Sequence, residues 1–268
     1  MWRRHALGGA MAGGADARRG QPGVRVAGNV ICAPVAGRTD ECLQLLRTDP
    51  VRLHATLLTQ ALAGDAGSQL GVAQMYLEGI GCERNTGEAL YWFQRAAHQG
   101  DAMSMNMLGR IHENGRGVAV NHELAAVWYR EAAEHGSDWG MYNFAHVLAN
   151  GRGVKANRAE AFRWFGQAAE AGHARAMHCL GQYYEYGWET APDIERAHAL
   201  YRASAEKGDY RGKCSWALVL TERGHIGQAC ALLRSAMEAA PAYFVEALRN
   251  DLRQSPHLPL RALAGHAA

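Results

Sequence analysis

Histidine and cysteine offer the widest chemistry in this chain, which holds 13 histidines and six cysteines among its 268 residues. Both side chains are common metal ligands. The densest group is His173, His178 and Cys179. Separations of five and six residues do not bring side chains to one face of a helix, and no spacing in the chain matches a known ligand pattern. The sequence therefore predicts no metal site and no cofactor.

The cysteines show no disulfide framework. They are Cys32, Cys42, Cys82, Cys179, Cys214 and Cys230. No repeat contains a pair of cysteines at a constant spacing, and the chain has no C-x-x-C motif. We therefore expect reduced thiols, which favours a reducing compartment. No nucleophile, base and orienting residue can be identified as a set, so the chain is predicted not to be an enzyme.

The elements that position these residues follow a 36-residue repeat, a period typical of helical solenoids. Five copies begin at Asp65, Asp101, Ser137, His173 and Asp209. Counting positions from these residues, position 8 is always large and apolar, and position 9 is always Ala or Gly, as expected where two helices cross closely. In the first three copies, glycines at positions 15 and 17 indicate a turn that ends this first helix, helix A.

A second helix, helix B, follows the turn in each copy. In the first four copies position 21 is Asn or Asp, which accepts a hydrogen bond from the free amides of a helix start. Position 25 is Ala, and an aromatic pair at 28 and 29 and a small pair at 32 and 33 fall on one helical face. The pairs at 28 and 29 are Trp92–Phe93, Trp128–Tyr129, Trp164–Phe165 and, in the fourth copy, Leu200–Tyr201.

This pattern resembles the Sel-one-like repeat (SLR) family, a branch of the tetratricopeptide-like helical repeats. The family pattern A-x(3)-L-G-x-x-Y-x-x-G-x-G-V-x-x-D-x(3)-A-x-x-W-Y-x-x-A-A-x-x-G is nearly filled over residues 104–136, with His112 in place of Tyr and Asn121 in place of Asp. The resemblance covers residues 65 to about 240. It implies an all-α fold, an α-solenoid in the form of a right-handed superhelix of five two-helix repeats with flanking cap helices.

The fifth copy departs from the pattern, because it lacks the Gly-x-Gly-Val loop and carries Leu232 and Leu233 for the aromatic pair. We expect it to be an end unit. The predicted organisation is a disordered basic tail at 1–39, capping helices at 40–64, repeats at 65–100, 101–136, 137–172, 173–208 and 209–240, a capping helix at 241–254 and a disordered tail at 255–268.

Charge and hydropathy exclude other classes of function. The formal net charge of +2 is too small to predict nucleic-acid binding. No apolar run is long enough to span a membrane. The segment at 1–39 contains six arginines against the single acid Asp16 and lacks the apolar core of a secretion signal. We therefore expect a cytoplasmic protein, with the periplasm as the second compartment that the composition allows.

The resemblance implies that positions 5, 9, 12 and 13 of helix A line a concave groove. The candidate partner-binding residues at these positions are Gln69, Tyr76, Met105, His112, Glu113, Met141, Met177, Tyr184, Glu185 and Lys213, and those on the rim are Arg116 and Arg152. Methionine suits adaptable recognition of an apolar segment, and it is also a common filler of gaps between helices. Both interpretations of the methionine stripe stay open at this point.

We expect a non-enzymatic scaffold or adaptor that binds another protein or peptide in this groove. The family also has cysteine-rich, secreted members with a disulfide in each repeat, described as binding or hydrolysing β-lactams. A secreted small-molecule-binding protein of that type is therefore one alternative. The other is a regulatory subunit whose basic tail binds anionic surfaces, which would make its binding sensitive to salt.

Overall fold

A computed structural model describes residues 39–265, and the prediction of a disordered basic tail falls almost wholly outside this range. The described residues form 14 α-helices and no strand. In chain order the helices are α1 (Thr39–Thr48), α2 (Pro50–Leu62), α3 (Ala66–Glu78), α4 (Thr86–His98), α5 (Ala102–Asn114), α6 (His122–Glu134), α7 (Asp138–Asn150), α8 (Arg158–Glu170), α9 (Ala174–Tyr186), α10 (Ile194–Glu206), α11 (Tyr210–Glu222), α12 (Ile226–Ala239), α13 (Ala242–Arg253) and α14 (Leu258–Ala264).

The described chain divides into two compact units. The first contains residues 39–147 and 151–156, and the second contains residues 148–150 and 157–265. Each of the five copies contains two successive helices along the chain, so the predicted all-α repeat fold is confirmed. The odd-numbered helices from α3 to α11 are the A helices, and the even-numbered helices from α4 to α12 are the B helices.

Side-chain caps start the helices where the sequence predicts them. Asn121 Oδ1 accepts a hydrogen bond from the amide of Leu124 at the start of α6, at 2.9 Å. Asp101 does the same for Ser104 at the start of α5, at 2.6 Å. At the other end of α5, Gly115 has a φ of +66° and donates its amide to the carbonyl of Ile111. Glycine tolerates this left-handed conformation, so it ends the helix.

The second glycine of each loop in the first unit has a separate role, because it lies against the preceding repeat. A Cβ on Gly153 would overlap the carbonyl oxygen of His122, the first residue of α6. A Cβ on Gly81 would overlap the carbonyl oxygen of Pro50, the first residue of α2. Each loop therefore rests on the start of the previous B-type helix, and the absence of a side chain permits that approach.

The core of the first unit is a continuous strip between neighbouring helices. Leu57, Met75, Phe93, Leu108 and Ile111 are almost completely buried. They come from four successive helices and belong to one apolar cluster. A solenoid buries its core in this way, because each repeat covers the apolar face of the next.

The C-terminal end of the second unit differs from the prediction at one point. Residues 255–268 were predicted to be disordered, but α14 forms there and buries Leu260 and Ala264 in the cluster that also contains Leu233, Leu248 and Leu252. Leu260 and Ala264 are four residues apart, so they share a helical face. This short helix completes the apolar covering of α12 and α13.

A pair of glycine variants tests the importance of the loop contact. Gly153→Ala should lower the free energy of unfolding by roughly 3 kcal/mol, because the new methyl group overlaps backbone atoms that cannot move aside. Gly136 also has a positive φ, +85°, but a Cβ there meets no atom within 4 Å. Gly136→Ala should therefore cost only the strain of the left-handed conformation, about 1 kcal/mol. Urea unfolding followed by circular dichroism measures both, and equal losses would contradict the role given to the contact.

Candidate partner-binding site

In the second and fourth repeats, positions 9 and 13 of helix A lie against helix B of the same repeat. In the second repeat a Cβ on Gly109 would come within 2.5 Å of the Tyr129 ring. The Tyr129 hydroxyl donates to Glu113 Oε2 at 2.7 Å. The Glu113 side chain is only 8% exposed, and its other oxygen accepts from Arg152 at 3.2 Å. Glu113 is therefore held inside the helix pair, and the expectation that positions 9 and 13 line the groove is wrong for this repeat.

The fourth repeat, in the second unit, has the same arrangement. Tyr201 donates to Glu185 Oε2 at 2.7 Å, and a Cβ on Gly181 would come within 2.6 Å of the Tyr201 ring. The first and third copies instead place an alanine at position 9 and a phenylalanine at position 29. Gly, Glu and Tyr thus occur together at positions 9, 13 and 29, or are all absent. Because the residue types at these three positions change together from copy to copy, the sequence itself indicated that the three side chains are in contact.

Most of the side chains at position 5, which include the methionine stripe, are buried and so are not available to a partner. Met105 is 5% exposed and Met177 is 9% exposed, so within their units both fill gaps between helices. Gln69 is completely buried, and its side chain donates to the carbonyl of Ala61 at 3.1 Å. Met141 is half-buried. Lys213, also half-buried, donates to Ser235 Oγ at 2.8 Å. Of the position-5 residues, Met141 and Lys213 thus retain an exposed part.

Position 12 presents the accessible aromatic and imidazole groups of the first unit. Tyr76 and His112 occupy this position in successive repeats, and both are half-buried. Burial lowers the pKa of His112 below its usual range, so the ring is neutral near pH 7. The ring of His54 lies edge-on to Tyr76 at 4.8 Å. In the second unit, Tyr184 is 9% exposed and lies beneath the guanidinium of Arg196 at 4.5 Å.

The two rim arginines form ion pairs with the preceding repeat. Arg116 lies 3.6 Å from Glu78 at the end of α3, and the Arg116 side chain is 41% exposed. Arg152 pairs with Glu113, as described above, and is less exposed. The Arg116 pair is screened by solvent and contributes little stability. The exposed guanidinium of Arg116 stays available to an acidic group of a partner.

The buried histidines have structural partners. His173 caps α9, with Nδ1 accepting a hydrogen bond from the amide of Ala176 at 3.1 Å. Burial, and to a smaller extent the charge of Arg175, lowers the pKa of His173 to about 3. His178 Nε2 lies 3.1 Å from Ser215 Oγ on the neighbouring A helix. Within residues 39–265 no three histidine, cysteine or acidic side chains are grouped so that they could hold a metal ion.

The cysteines correct one expectation. Cys42 is disulfide-bonded, so the prediction of reduced thiols is wrong for it. Cys82, Cys179, Cys214 and Cys230 are free. Burial raises the pKa of Cys179 and of Cys214 to about 12, which makes both poor nucleophiles. The described repeats thus lack the one disulfide per repeat that the cysteine-rich class requires.

Comparison with known proteins identifies the repeats. The family model described as "Sel1 repeat" matches residues 66–101, 102–137, 140–173 and 174–209, which together exceed half of the chain. The chain belongs to the Sel1 repeat family. The model matches four copies, and the fifth helix pair, α11 and α12, is present in the structure without such a match. No curated protein matches the chain.

Solved structures of Sel1 repeat proteins share the fold. A Sel1 repeat protein from Oxalobacter formigenes is 27% identical over 72% of this chain and 80% of its own, with a TM-score of 0.66. The antigen c5321 of uropathogenic Escherichia coli, which displays an SLR fold, is 28% identical over 81% of this chain, with a TM-score of 0.65. The match spans 47% of that antigen. Pseudomonas aeruginosa 5086, at 16% identity and a TM-score of 0.51, is similar in fold alone.

The Tyr129–Glu113 bond should stabilise this Sel1 repeat protein measurably. Tyr129→Phe removes a buried donor to a carboxylate, so the free energy of unfolding should fall by about 1.5–3 kcal/mol. Tyr91→Phe is the matched control, because Tyr91 is 47% exposed and bonds only to the exposed Arg95. That change should cost less than about 0.5 kcal/mol. Denaturant unfolding measures both, and a Tyr129→Phe loss no larger than the control would refute the internal role of Glu113.

His173 should make stability depend on pH. The folded pKa of about 3 lies below the usual 6.5, so the neutral ring stabilises the fold above pH 6.5 and this contribution is lost as the pH falls from 6.5 towards 3. His173→Ser keeps a cap, as Ser137 does for α7, but removes the titration. Between pH 7 and pH 5 the wild type should lose about 2 kcal/mol relative to the variant. The free energy of unfolding is measured by urea unfolding at each pH. If it changes equally with pH in the wild type and in His173→Ser, His173 is not held neutral.

A thiol count tests the disulfide at Cys42. Protein taken from its source cells, with thiols blocked at lysis, should contain four free thiols after denaturation and six after reduction. Disulfides persist in oxidising compartments, so this result would place the protein outside the reducing cytoplasm. Six free thiols before reduction would restore the cytoplasmic expectation. Alkylation followed by mass spectrometry assigns each cysteine.

Proposed function

We propose that this Sel1 repeat protein is a scaffold that binds a partner protein or peptide on the A-helix surface of its first unit. Membership of the Sel1 repeat family supports a role in protein interaction. Among the described residues no helix is long and apolar enough to cross a membrane.

The observation that carries the proposal is the half-exposed state of Tyr76 and His112. In the second repeat the Tyr129–Glu113 bond holds position 13 against helix B, whereas His112 at position 12 stays half-exposed. Successive repeats therefore present a phenol and a neutral imidazole on one surface. Tyrosine combines a large apolar area with a polar end and is enriched where proteins bind one another.

Two neighbouring features would shape the interface. Met141, half-buried on α7, adds an adaptable apolar group. The exposed Glu78–Arg116 pair adds a polar margin at the ends of the A helices. Interfaces commonly have such an apolar centre and a polar rim. We expect a partner segment with apolar side chains in its centre and mixed polar groups beside them.

A matched pair of variants tests this surface. The test variant carries Tyr76→Ala and His112→Ala, and the control carries Tyr91→Ala and Val127→Ala, which are 47% and 44% exposed on the B helices. Proteins captured from source-cell extract by the wild type are identified and purified, and their affinities are measured by calorimetry. The test variant should bind at least about tenfold more weakly, and the control should stay within about twofold of the wild type.

Two outcomes would count against the proposal in different ways. Equal affinity of the test variant and the wild type, with both equally stable in thermal unfolding, would show that the surface is wrong while the scaffold role holds. Failure of the wild type to capture any protein reproducibly would reject the scaffold role itself. His112→Ala alone serves as the second test variant, because Tyr76 also packs against the apolar core.

A further inference from the structure

A groove lies between α10 and α11 in the second unit, and we call it the Trp216 groove. Its volume is about 360 Å³, within the range of sites for small ligands and peptide ends. Its apolar lining consists of Trp216 together with Ala199 and Ala203 of α10. All of its lining residues belong to this one unit. None of them is part of the proposed A-helix surface.

The small side chains of α10 create the groove. Ala199 and Ala203 occupy positions 27 and 31 of the fourth copy. The earlier copies have Tyr91, Val127 and Arg163 at position 27, and Arg95, Glu131 and Gln167 at position 31. Trp216 is at position 8, where Val72 and Leu108 are completely buried, but Trp216 itself is half-buried. Part of the Trp216 ring is thus left exposed between α10 and α11.

Arg223 supplies a positive charge beside that surface. Its guanidinium carbon lies 5.6 Å from the centre of the Trp216 ring, and one of its nitrogens lies 3.3 Å from His198 Nδ1. Within the described residues no carboxylate forms an ion pair with Arg223. The other lining arginine, Arg202, is bound to Glu206 at 2.8 Å. Arg223 therefore keeps donors for an outside anion.

We propose that the Trp216 groove binds the carboxy terminus of a peptide that ends in an apolar residue. The terminal side chain lies on the indole and the two alanines, and the α-carboxylate accepts hydrogen bonds from Arg223. Both groups leave the same Cα, so their separation suits the 5.6 Å between the guanidinium and the ring. Glu195, which also lines the groove, disfavours a polyanion and offers an acceptor for the peptide N–H. This site does not depend on the proposed A-helix surface.

Nuclear magnetic resonance titration of the full chain tests the groove. The probe is N-acetyl-leucine, its matched control is N-acetyl-leucinamide, and the signal is the indole N–H of Trp216, assigned with Trp216→Phe. The acid should bind saturably, with a Kd on the order of 1–10 mM for so small a ligand. The amide should bind at least about fivefold more weakly, because it lacks the charge that Arg223 recognises.

Three variants separate recognition from general effects. Arg223→Gln should weaken binding of the acid roughly tenfold. Arg234→Gln removes the same charge from an exposed position outside the groove and should leave the Kd unchanged. Ala199→Leu should abolish binding by filling the groove, and it should fold because the other copies carry larger residues at that position.

Several results would overturn the proposal. Equal binding of the amide would show an apolar groove without carboxylate recognition, and an equal loss in Arg234→Gln would show unspecific attraction. Binding of acetyl-aspartyl-leucinamide without binding of N-acetyl-leucine would assign the groove to an internal acidic segment. A Trp216 shift that follows protein concentration without any probe would assign it to a second copy of the chain. Absence of saturable binding up to about 50 mM would reject the site.

Discussion

The close approach of helix A to helix B at position 9 is the contact on which the second and fourth repeats depend. In these two repeats the ring at position 29 lies where a side chain at position 9 would project, so only a small residue there permits the pair to close. Where the residue is glycine, as at Gly109 and Gly181, the ring is a tyrosine whose hydroxyl reaches a glutamate on the same A helix. The geometry of the pair thus decides which polar groups are internal and which are left for solvent.

Neighbouring repeats are aligned by a second set of contacts, several of them polar. In the first unit, Asn143 donates to Asn106 Oδ1 at 2.7 Å between adjacent A helices, and in the second unit His178 and Ser215 occupy the equivalent places. Buried polar groups that lose a partner are costly, so such pairs disfavour a shifted arrangement of the helices. The apolar strip supplies attraction, and these pairs add specificity to it.

Most of the fold followed from local sequence signals, but the orientation of the site did not. Caps such as Asn121 and turns such as Gly115 act over four or five residues, so their types and spacing indicate the helix ends directly. Glu113 was assigned to the groove by analogy with other helical repeats, whereas its actual direction depends on Tyr129, 16 residues away. The short helix α14 was missed because its stability comes from burial of Leu260 against other helices and not from a strong local pattern.

The loop glycines of the first unit bear on how such a chain can change in length. Because Gly153 rests on the first residue of α6, and Gly81 on that of α2, each repeat carries the surface that the next one needs. Duplication or loss of a whole 36-residue segment would preserve this match, while a partial segment would break it. The number of repeats can therefore vary during evolution with little structural cost. The cap helix α2 must be retained, because it offers the first repeat a surface to rest on.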